Sequence, residues 1–304
     1  MAGLKALIPL DGTKLSESAF ELLPLLKTLG FDTVRLVSVW ESAWEEEESR
    51  GKDEEIGEAT EKGQAYLAAY LKQQAERVRA AGFQVEETVR IGRAADETVD
   101  AAKSVDVVLI ATHGRSGIAR WWLGSVADVV VRDAGCPVLM IGPNVTQDLS
   151  SGKISRILLP LDGSEEAEKA LPVAAWIAGL TNAELDVVRC MSLAPLAYDP
   201  SMSIYSVDLI DAMESSVKEY LAGVQTKLKG TKATTSMMMG GAGELLTQYL
   251  EDRPAGLVVM TSHGRSGVRR VALGSVTDRL LHGPSPVLVV REGGGLIAAA
   301  KAAS

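Results

Sequence analysis

The sequence predicts an α/β protein made of two copies of one domain, each a parallel β-sheet with helices on both faces. Short apolar runs, suited to buried strands, alternate with segments whose apolar residues recur at helical spacing. This alternation is typical of parallel sheets with crossover helices. The same motifs also occur twice, about half the chain apart. Because that period is far longer than a solenoid repeat, each copy is expected to be a complete domain.

The repeat depends on four motifs that keep their order and nearly their spacing. The first motif starts at positions 9 and 160 and the last at 137 and 286, which gives offsets of 151 and 149 residues. The four are Pro-Leu-Asp-Gly at 9–12 and 160–163, His-Gly-Arg-Ser-Gly at 113–117 and 263–267, Leu-Gly-Ser-Val at 123–126 and 273–276, and Pro-Val-Leu at 137–139 and 286–288.

The motif positions divide the chain into two domains and two connecting parts. The stretch between the copies is polar and lacks periodicity, and the end is rich in Gly and Ala, which is typical of a frayed terminus. We predict domain 1 over 1–143, a linker over 144–153, domain 2 over 154–292 and a flexible tail over 293–304.

The first half of domain 1 is predicted to form two strands and two helices. Residues 6–10 are a continuous apolar run and suit a buried parallel strand, and residues 16–29 carry apolar residues at helical spacing. Residues 33–40 are predicted to form the second strand. Residues 62–81 repeat Ala and Leu at helical spacing and are predicted to form a long helix.

The second half of domain 1 continues the alternation. We predict strands over 85–91, 105–111 and 138–141, and helices over 94–102 and 126–133. The last two strands are short and apolar apart from Asp106, as expected for strands buried on both faces. Domain 2 is predicted to follow the same order, so each sheet has five strands.

Composition excludes several functional classes. The chain has 304 residues, 46% of them hydrophobic, a net charge of −9, and no apolar run of the roughly 20 residues that would span a bilayer. Because phosphate contacts need Lys and Arg in patches, an acidic chain without a basic stripe is not expected to bind nucleic acid. No signal peptide is recognisable, so we expect a cytoplasmic protein without a membrane partner.

The cysteines and histidines do not predict a metal centre. Cys136 and Cys190 are the two cysteines, and we interpret them as small buried side chains of a reducing compartment, with a redox pair as the alternative. The three histidines have no metal-ligand spacing to a cysteine pair. No nucleophile and base pair is recognisable near His113 or His263, so no catalytic residue is predicted.

An aspartate closes the first predicted strand of each copy. Asp11 and Asp162 are both followed by glycine. In open α/β sheets, ligands bind beyond the carboxyl ends of the strands, where an aspartate could accept hydrogen bonds from ribose hydroxyls. The alternative is that each aspartate only caps the turn or helix that follows it.

A glycine-containing loop follows the fourth predicted strand of each copy. Gly114 and Gly264 would let the backbone approach a phosphate closely, and Arg115 and Arg265 could add charge-assisted hydrogen bonds. Without other evidence the loop could equally be an ordinary flexible connection.

A Gly-Ser pair opens the helix after that loop. Ser125 and Ser275 each precede an Asp by three residues, so a capping box would explain the serines. It would not explain the preceding Gly124 and Gly274, which follow Gly114 and Gly264 after the same nine residues. A phosphate held between the loop and the helix N-terminus would explain all of these residues.

Together these residues resemble the universal stress protein family, over about 1–143 and 154–292. The sequence is similar to the ATP-binding branch, whose pattern is Gly-x-x-Gly, nine residues and Gly-Ser/Thr, with an Asp after the first strand. The chain departs from this pattern at the first glycine, which is Ala111 in copy one and Thr261 in copy two. The resemblance implies two adenine-nucleotide α-hydrolase-like, Rossmann-like domains.

The resemblance also implies the site residues. Asp11 and Asp162 would hold the ribose, and the backbone of Val39 and Cys190 would meet adenine. The phosphates would lie on the glycine loop and the Gly-Ser pair. The full set is Pro9, Asp11, Val39, Ile110, Ala111, His113, Gly114, Arg115, Gly124, Ser125 and Val126 in copy one, and Pro160, Asp162, Cys190, Met260, Thr261, His263, Gly264, Arg265, Gly274, Ser275 and Val276 in copy two.

The expected function is therefore an ATP-binding stress-response or regulatory module with little or no turnover, at most a weak ATPase. ATP is expected to bind with Mg²⁺ or Mn²⁺. The alternative is a dimerising interaction protein that has lost nucleotide binding in one or both domains. A dinucleotide or flavin enzyme is disfavoured because no Gly-x-Gly-x-x-Gly follows the first strand of either copy.

The last strands predict how the copies associate. Each is short, apolar and preceded by a proline, which suits an edge strand, and a bare edge is an aggregation hazard. We predict that the two domains form an intramolecular pseudo-dimer through these strands, and the resemblance implies a further homodimer of whole chains.

Overall fold

The computed structural model describes residues 3–41, 53–112, 123–192, 206–262, 274–291 and 293–303, without the side chains of 53–59, 206–208 and 303. The chain divides into two compact units. The first comprises Met1–Pro143, Asp148–Lys153 and Arg291–Ala299, and the second comprises Asn144–Gln147, Ile154–Val290 and Ala300–Ser304. We call these units the first and second domain.

The first domain is a five-stranded parallel sheet with strand order β3-β2-β1-β4-β5. Its strands are β1 Leu4–Pro9, β2 Phe31–Trp40, β3 Gln84–Ile91, β4 Val107–Ala111 and β5 Val138–Ile141. Its helices are α1 Leu23–Thr28, preceded by a 3-10 helix over Ser16–Leu22, then α2 Asp53–Ala80, α3 Ala94–Ala102 and α4 Ser125–Asp133.

The second domain repeats this topology with strand order β8-β7-β6-β9-β10, again parallel. Its strands are β6 Arg156–Pro160, β7 Glu184–Met191, β8 Ala233–Met239, β9 Leu257–Thr261 and β10 Val287–Val290. Its helices are α5 Glu165–Glu168, α6 Leu171–Thr181, α7 Ser206–Lys227, α8 Ala242–Asp252 and α9 Ser275–Leu281.

This architecture confirms the predicted fold class. The continuous apolar runs of β4, β5, β9 and β10 are buried on both faces, as expected for strands of a parallel sheet. The strand order reverses between β1 and β4, and between β6 and β9, so each sheet has one switch point. No helix among the described residues is both long and apolar enough to cross a membrane.

Two helices differ from the sequence-based expectation. The first helical segment is a 3-10 helix followed by α1, because Pro24 lies in the first turn of α1 and has no N–H to continue the preceding hydrogen bonds. The second helix, α2, begins at Asp53 rather than 62. Its first turns are rich in Glu, which has good helix propensity although it gives no apolar periodicity.

The predicted linker is divided between the domains. Asn144 donates its side-chain N–H to the carbonyl of His282, and Thr146 donates its backbone N–H to the carbonyl of Pro284, both in the second domain. Residues 148–153 pack with the first domain, where Leu149 is buried.

Of the predicted flexible tail, residues 294–303 instead form the helix α10, Gly294–Ala303. The helix begins in the first domain, where the carboxylate of Asp106 accepts the N–H of Gly295 at 2.6 Å. Gly294 has φ +78°, and a Cβ there would lie 2.8 Å from the Asp106 carbonyl, so the chain can enter this helix only through glycine. Because Leu296 is also buried, this end is folded.

A buried carboxylate organises one face of the second sheet. Asp186 on β7 is almost fully buried and accepts hydrogen bonds from the hydroxyls of Thr234 and Tyr249, both at 2.8 Å. The guanidinium of Arg156 lies 3.2 Å away, and Arg156 also meets the exposed Glu184 at 3.3 Å. This cluster ties β6, β7, β8 and α8 together.

The Tyr249 phenol gives the second domain a specific response to alkaline pH. Burial, and then the hydrogen bond to Asp186, raise the pKa of Tyr249 to about 12. In the unfolded chain the phenol ionises near its ordinary pKa of about 10. The native state therefore holds more protons between about pH 10 and 12, and its stability falls as pH rises through this range.

We expect Tyr249→Phe to unfold with a shallower decline in stability over that pH range, measured by urea titrations at several pH values. Burial also raises the pKa of Tyr70 and Tyr220, so the variant removes only part of the decline. An unchanged slope would contradict the assignment of this proton to Tyr249.

Candidate functional site

The predicted site residues lie at the carboxyl ends of the strands, beside the switch point of each sheet. In the second domain, Asp162 follows β6, Cys190 lies near the end of β7, and Thr261 ends β9. This is the location at which open α/β sheets bind ligands. The corresponding ends in the first domain carry Asp11 and Ala111.

A cavity of about 230 Å³ occupies this position in the second domain. Apolar side chains such as Leu161, Val188 and Leu246 form much of its wall. The polar residues Asp162, Thr261, Ser262, Ser275 and Thr277 also line it. An apolar cavity with a few convergent polar groups is the usual form of a small-molecule site.

The cavity brings together most of the residues predicted for copy two. Those that line it are Pro160, Asp162, Cys190, Met260, Thr261, Gly274, Ser275 and Val276. His263, Gly264 and Arg265 lie outside the described residues, as do His113, Gly114 and Arg115 of copy one. The cavity also has lining residues that the sequence analysis did not name: Leu161, Ala167, Val188, Ala242, Leu246, Ser262 and Thr277.

Each aspartate is held by the turn that follows it. One carboxylate oxygen of Asp162 accepts the backbone N–H of Ser164 at 2.9 Å and its hydroxyl at 2.6 Å. Asp11 makes the same two contacts with Thr13, at 2.9 and 2.6 Å. The turn-capping role weighed above is therefore present, and it fixes one carboxylate oxygen of Asp162, a residue that also lines the cavity of the second domain.

A backbone hydrogen bond brings each helix start to the end of a strand. Gly274 donates its N–H to the carbonyl of Ser262 at 3.3 Å, and Gly124 donates to the carbonyl of Thr112 at 2.8 Å. The segment between each pair contains the predicted phosphate loop. The two ends of that loop therefore lie together at the mouth of the site.

The structure does not form the capping boxes that were weighed above as the alternative role of Ser125 and Ser275. The N-cap residues of α4 and α9 are Gly124 and Gly274, and Ser125 and Ser275 are the first helical residues. Because glycine has no side chain, the N-cap residue cannot accept the first N–H groups of either helix. These groups, with the positive end of the helix dipole, suit an anion.

The described copy-one residues keep the same arrangement. Pro9 ends β1 and is followed within two residues by Asp11, while Val39 lies near the end of β2. Ile110 and Ala111 end β4. Gly124, Ser125 and Val126 form the start of α4. All of these positions lie at the carboxyl edge of the first sheet.

The two cysteines are protonated thiols at neutral pH. Burial raises the pKa of Cys190 to about 11 and, with a contribution from Asp106, raises that of Cys136 to about 12. Cys190 lines the cavity and Cys136 is buried in the first domain. Since the thiolate is the reactive form, neither cysteine is suited to nucleophilic chemistry.

The family model of the universal stress protein family matches the chain twice, over residues 4–142 and 153–291. A universal stress protein of Mycobacterium tuberculosis is 31% identical over 195 residues, which are 64% of this chain and 64% of that protein. The match thus spans less than two thirds of that relative's length. A universal stress protein of Methanocaldococcus jannaschii is 28% identical over a match that covers 45% of this chain and 82% of that protein.

Solved structures show the same fold. A universal stress protein from Archaeoglobus fulgidus superposes with a TM-score of 0.66 and 22% identity, covering 95% of this chain and 96% of that one. A further structure, from Pseudomonas aeruginosa, superposes with a TM-score of 0.61 and 17% identity, covering 99% and 98%. At these identities the likeness extends to architecture alone.

Proposed function

The chain belongs to the universal stress protein family, and we propose that each of its two domains binds one molecule of ATP at the carboxyl edge of its sheet. The protein would act as a nucleotide-responsive regulatory module with little or no turnover. The observation that carries this proposal is the cavity of the second domain, where residues from five separate segments of the chain converge.

The cavity suits the nucleoside part of the ligand. The apolar wall of Val188, Leu246 and Met260 would pack against adenine, and the backbone at Cys190 would offer it hydrogen-bonding groups. Asp162 has one oxygen held by Ser164, so the turn keeps its carboxylate in a fixed position beside the cavity. The ribose hydroxyls would donate to this carboxylate.

The helix start suits the phosphates. The first N–H groups of α9, following Gly274, lie at the cavity, and Ser275 adds a hydroxyl. An anion there would gain from both the hydrogen bonds and the helix dipole. In the first domain, α4 after Gly124 offers the same groups.

A divalent ion would bind together with the nucleotide rather than in a protein cage. Among the described residues, no group of three or more His, Cys, Asp or Glu side chains lies close enough together to hold a metal ion. Mg²⁺ typically keeps several waters and is held largely by substrate phosphates, so it needs no such cage.

The two domains are expected to bind ATP with different affinities. The residue at the end of the fourth strand is Ala111 in the first domain and Thr261 in the second, and Thr261 lines the cavity with only 7% of its surface exposed. Its branched side chain is restricted at χ1 and cannot easily move away from a ligand. Overpacking of this kind costs about 1–3 kcal/mol, or roughly 5- to 150-fold in affinity.

We therefore predict that Thr261→Gly tightens ATP binding by the second domain, and that Ala111→Gly changes binding by the first domain much less. Calorimetric titration of each variant with ATP and Mg²⁺ provides the measurement. Weaker binding by Thr261→Gly would show that the threonine hydroxyl helps to hold the ribose, and would contradict the crowding argument.

A dimerising interaction protein without nucleotide remains the competing function, and the same titration separates the two. Wild-type protein that takes up no ATP at millimolar concentration would favour the interaction protein. Mass spectrometry of ligand released from the purified protein would add the identity of any nucleotide carried from the cell.

A further inference from the structure

A buried arginine lies behind the turn that carries Asp162. Arg189 is on β7 between Val188 and Cys190, which both line the cavity. Because successive side chains of a strand point to opposite faces, Arg189 points away from the cavity, toward α7. Its side chain is buried, with 8% of the residue exposed.

The guanidinium of Arg189 covers the backbone of that turn. A Cβ built on Gly163 would lie 2.7 Å from Nη2, 2.8 Å from Cζ and 2.9 Å from Nη1. Three nearly equal distances mean that the face of the guanidinium lies against Gly163, the residue directly after Asp162. Gly163 has φ +85°, so glycine is needed there both for the backbone conformation and for this contact.

The same guanidinium contacts α7. Its Cζ lies 4.5 Å from the centre of the Tyr220 ring, within cation–π range. Burial and the carboxylates of Glu168 and Asp162 raise the pKa of Tyr220, and Arg189 opposes them. The charges of Asp162 and Arg189 therefore both influence the Tyr220 hydroxyl, in opposite directions.

The first domain supports its turn differently. β1 pairs Pro9 with Val37, and β6 pairs Pro160 with Val188, so the position of Arg189 is occupied by Ser38 in the first domain. The Ser38 hydroxyl is fully buried and donates to the carbonyl of Leu10 at 2.8 Å. The first domain therefore has a neutral hydrogen bond from Ser38 at the position where the second domain has the charged, planar guanidinium of Arg189.

We propose that Arg189 is a positioning residue of the second site, which holds the Asp162–Gly163 turn so that the Asp162 carboxylate meets the ribose hydroxyls of the nucleotide. This inference rests on the proposed function. Under this proposal, the turn that carries the ribose-binding aspartate is held by Arg189 in the second domain and by Ser38 in the first.

The test separates this role from simple packing by using two nucleotides. Full-length protein carrying Gly124→Val, in which only the second domain is expected to titrate, is measured by calorimetry with ATP and with 2′,3′-dideoxy-ATP. The second nucleotide lacks the ribose hydroxyls that would donate hydrogen bonds to Asp162. Because the hydrogen bonds to the charged Asp162 carboxylate are lost, 2′,3′-dideoxy-ATP should bind roughly 10- to 150-fold more weakly than ATP.

In this parent protein, Arg189→Met should lower the affinity for ATP several-fold and leave the affinity for 2′,3′-dideoxy-ATP unchanged. The ratio of the ATP affinity to the 2′,3′-dideoxy-ATP affinity should therefore fall. Asp162→Ala should make the two nucleotides bind with equal affinity. Adding Arg189→Met to Asp162→Ala should not change the affinity ratio further. Arg189→Lys keeps the charge without the planar group, and should give an intermediate ratio even if the methionine variant fails to fold.

The matched control is Arg253→Met, because Arg253 also lies over a tyrosine of the same domain, at 5.5 Å from the Tyr249 ring. It should keep the parent ratio. Equal losses for both nucleotides in the Arg189 variants, or no change in either, would overturn the positioning role while leaving nucleotide binding intact. Failure of the parent to bind ATP would instead overturn the proposed function, and this inference with it.

Discussion

Gly274→Val is expected to weaken ATP binding by the second domain by about 100-fold or more, equivalent to about 2.8 kcal/mol. Gly274 has φ −58° and ψ 139°, a conformation that valine adopts readily, so the change acts through the added side chain. A Cβ there would lie 3.0 Å from the carbonyl of Ser262 and would stand at the start of α9, where the phosphates are proposed to bind.

The control for this variant is Gly241→Val. Gly241 is the N-cap of the neighbouring helix α8, with φ −70° and ψ 118°, and a Cβ there meets nothing closer than the Glu244 carboxylate at 3.8 Å. We expect its ATP affinity to stay near that of the wild type. Calorimetry of both variants, with thermal unfolding to confirm that each is folded, provides the comparison. Unchanged binding by Gly274→Val would remove the helix start from the proposed site.

Asp186→Ala is expected to destabilise the second domain by about 3–5 kcal/mol, because it leaves a largely buried arginine without its buried partner. The variant also removes the acceptor for the hydroxyls of Thr234 and Tyr249. Hydrogen exchange of β7 amides, followed by mass spectrometry, measures this domain alone. The β7 amides that exchange only through global unfolding should exchange faster, by the factor that corresponds to this loss of stability.

Glu184→Ala is the matched control, since Glu184 contacts the same arginine from an exposed position. Exposed ion pairs contribute about 0–1 kcal/mol, so β7 exchange should change little. Similar exchange in the two variants would show that the burial of Asp186 does not determine its contribution to stability.

The fold class could be predicted from sequence because its signals are local and occur twice. The apolar runs of β4 and β5 are buried on both faces, and their bounds were predicted within two residues. The start of α2 was missed because its Glu-rich first turns carry no apolar periodicity. The helix α10 was missed because the residues that it contacts, such as Asp106, are far away in the sequence.

The site could be predicted only where residue type itself carries the chemistry. Asp162, Gly274 and Ser275 have distinctive identities at fixed spacing, and the structure places all three at one cavity. Ala242 and Leu246 also line it, but they are ordinary apolar residues of a helix and give no local signal.

Arg189 had a signal that comparison of the two copies could have revealed. It is a charged residue inside an otherwise apolar strand end, where the other copy has Ser38. Its contact with Gly163 nevertheless depends on the packing of β7 against the turn, which sequence spacing does not give.

The most direct test of the central claim is equilibrium dialysis of the full-length protein against labelled ATP with Mg²⁺. Two domains with the same arrangement of strand ends and helix start predict two ATP molecules bound per chain at saturation. They also predict one per chain in Gly274→Val, with the remaining site being that of the first domain. If no ATP is found on the wild-type chain even at the highest ATP concentration, the account is contradicted.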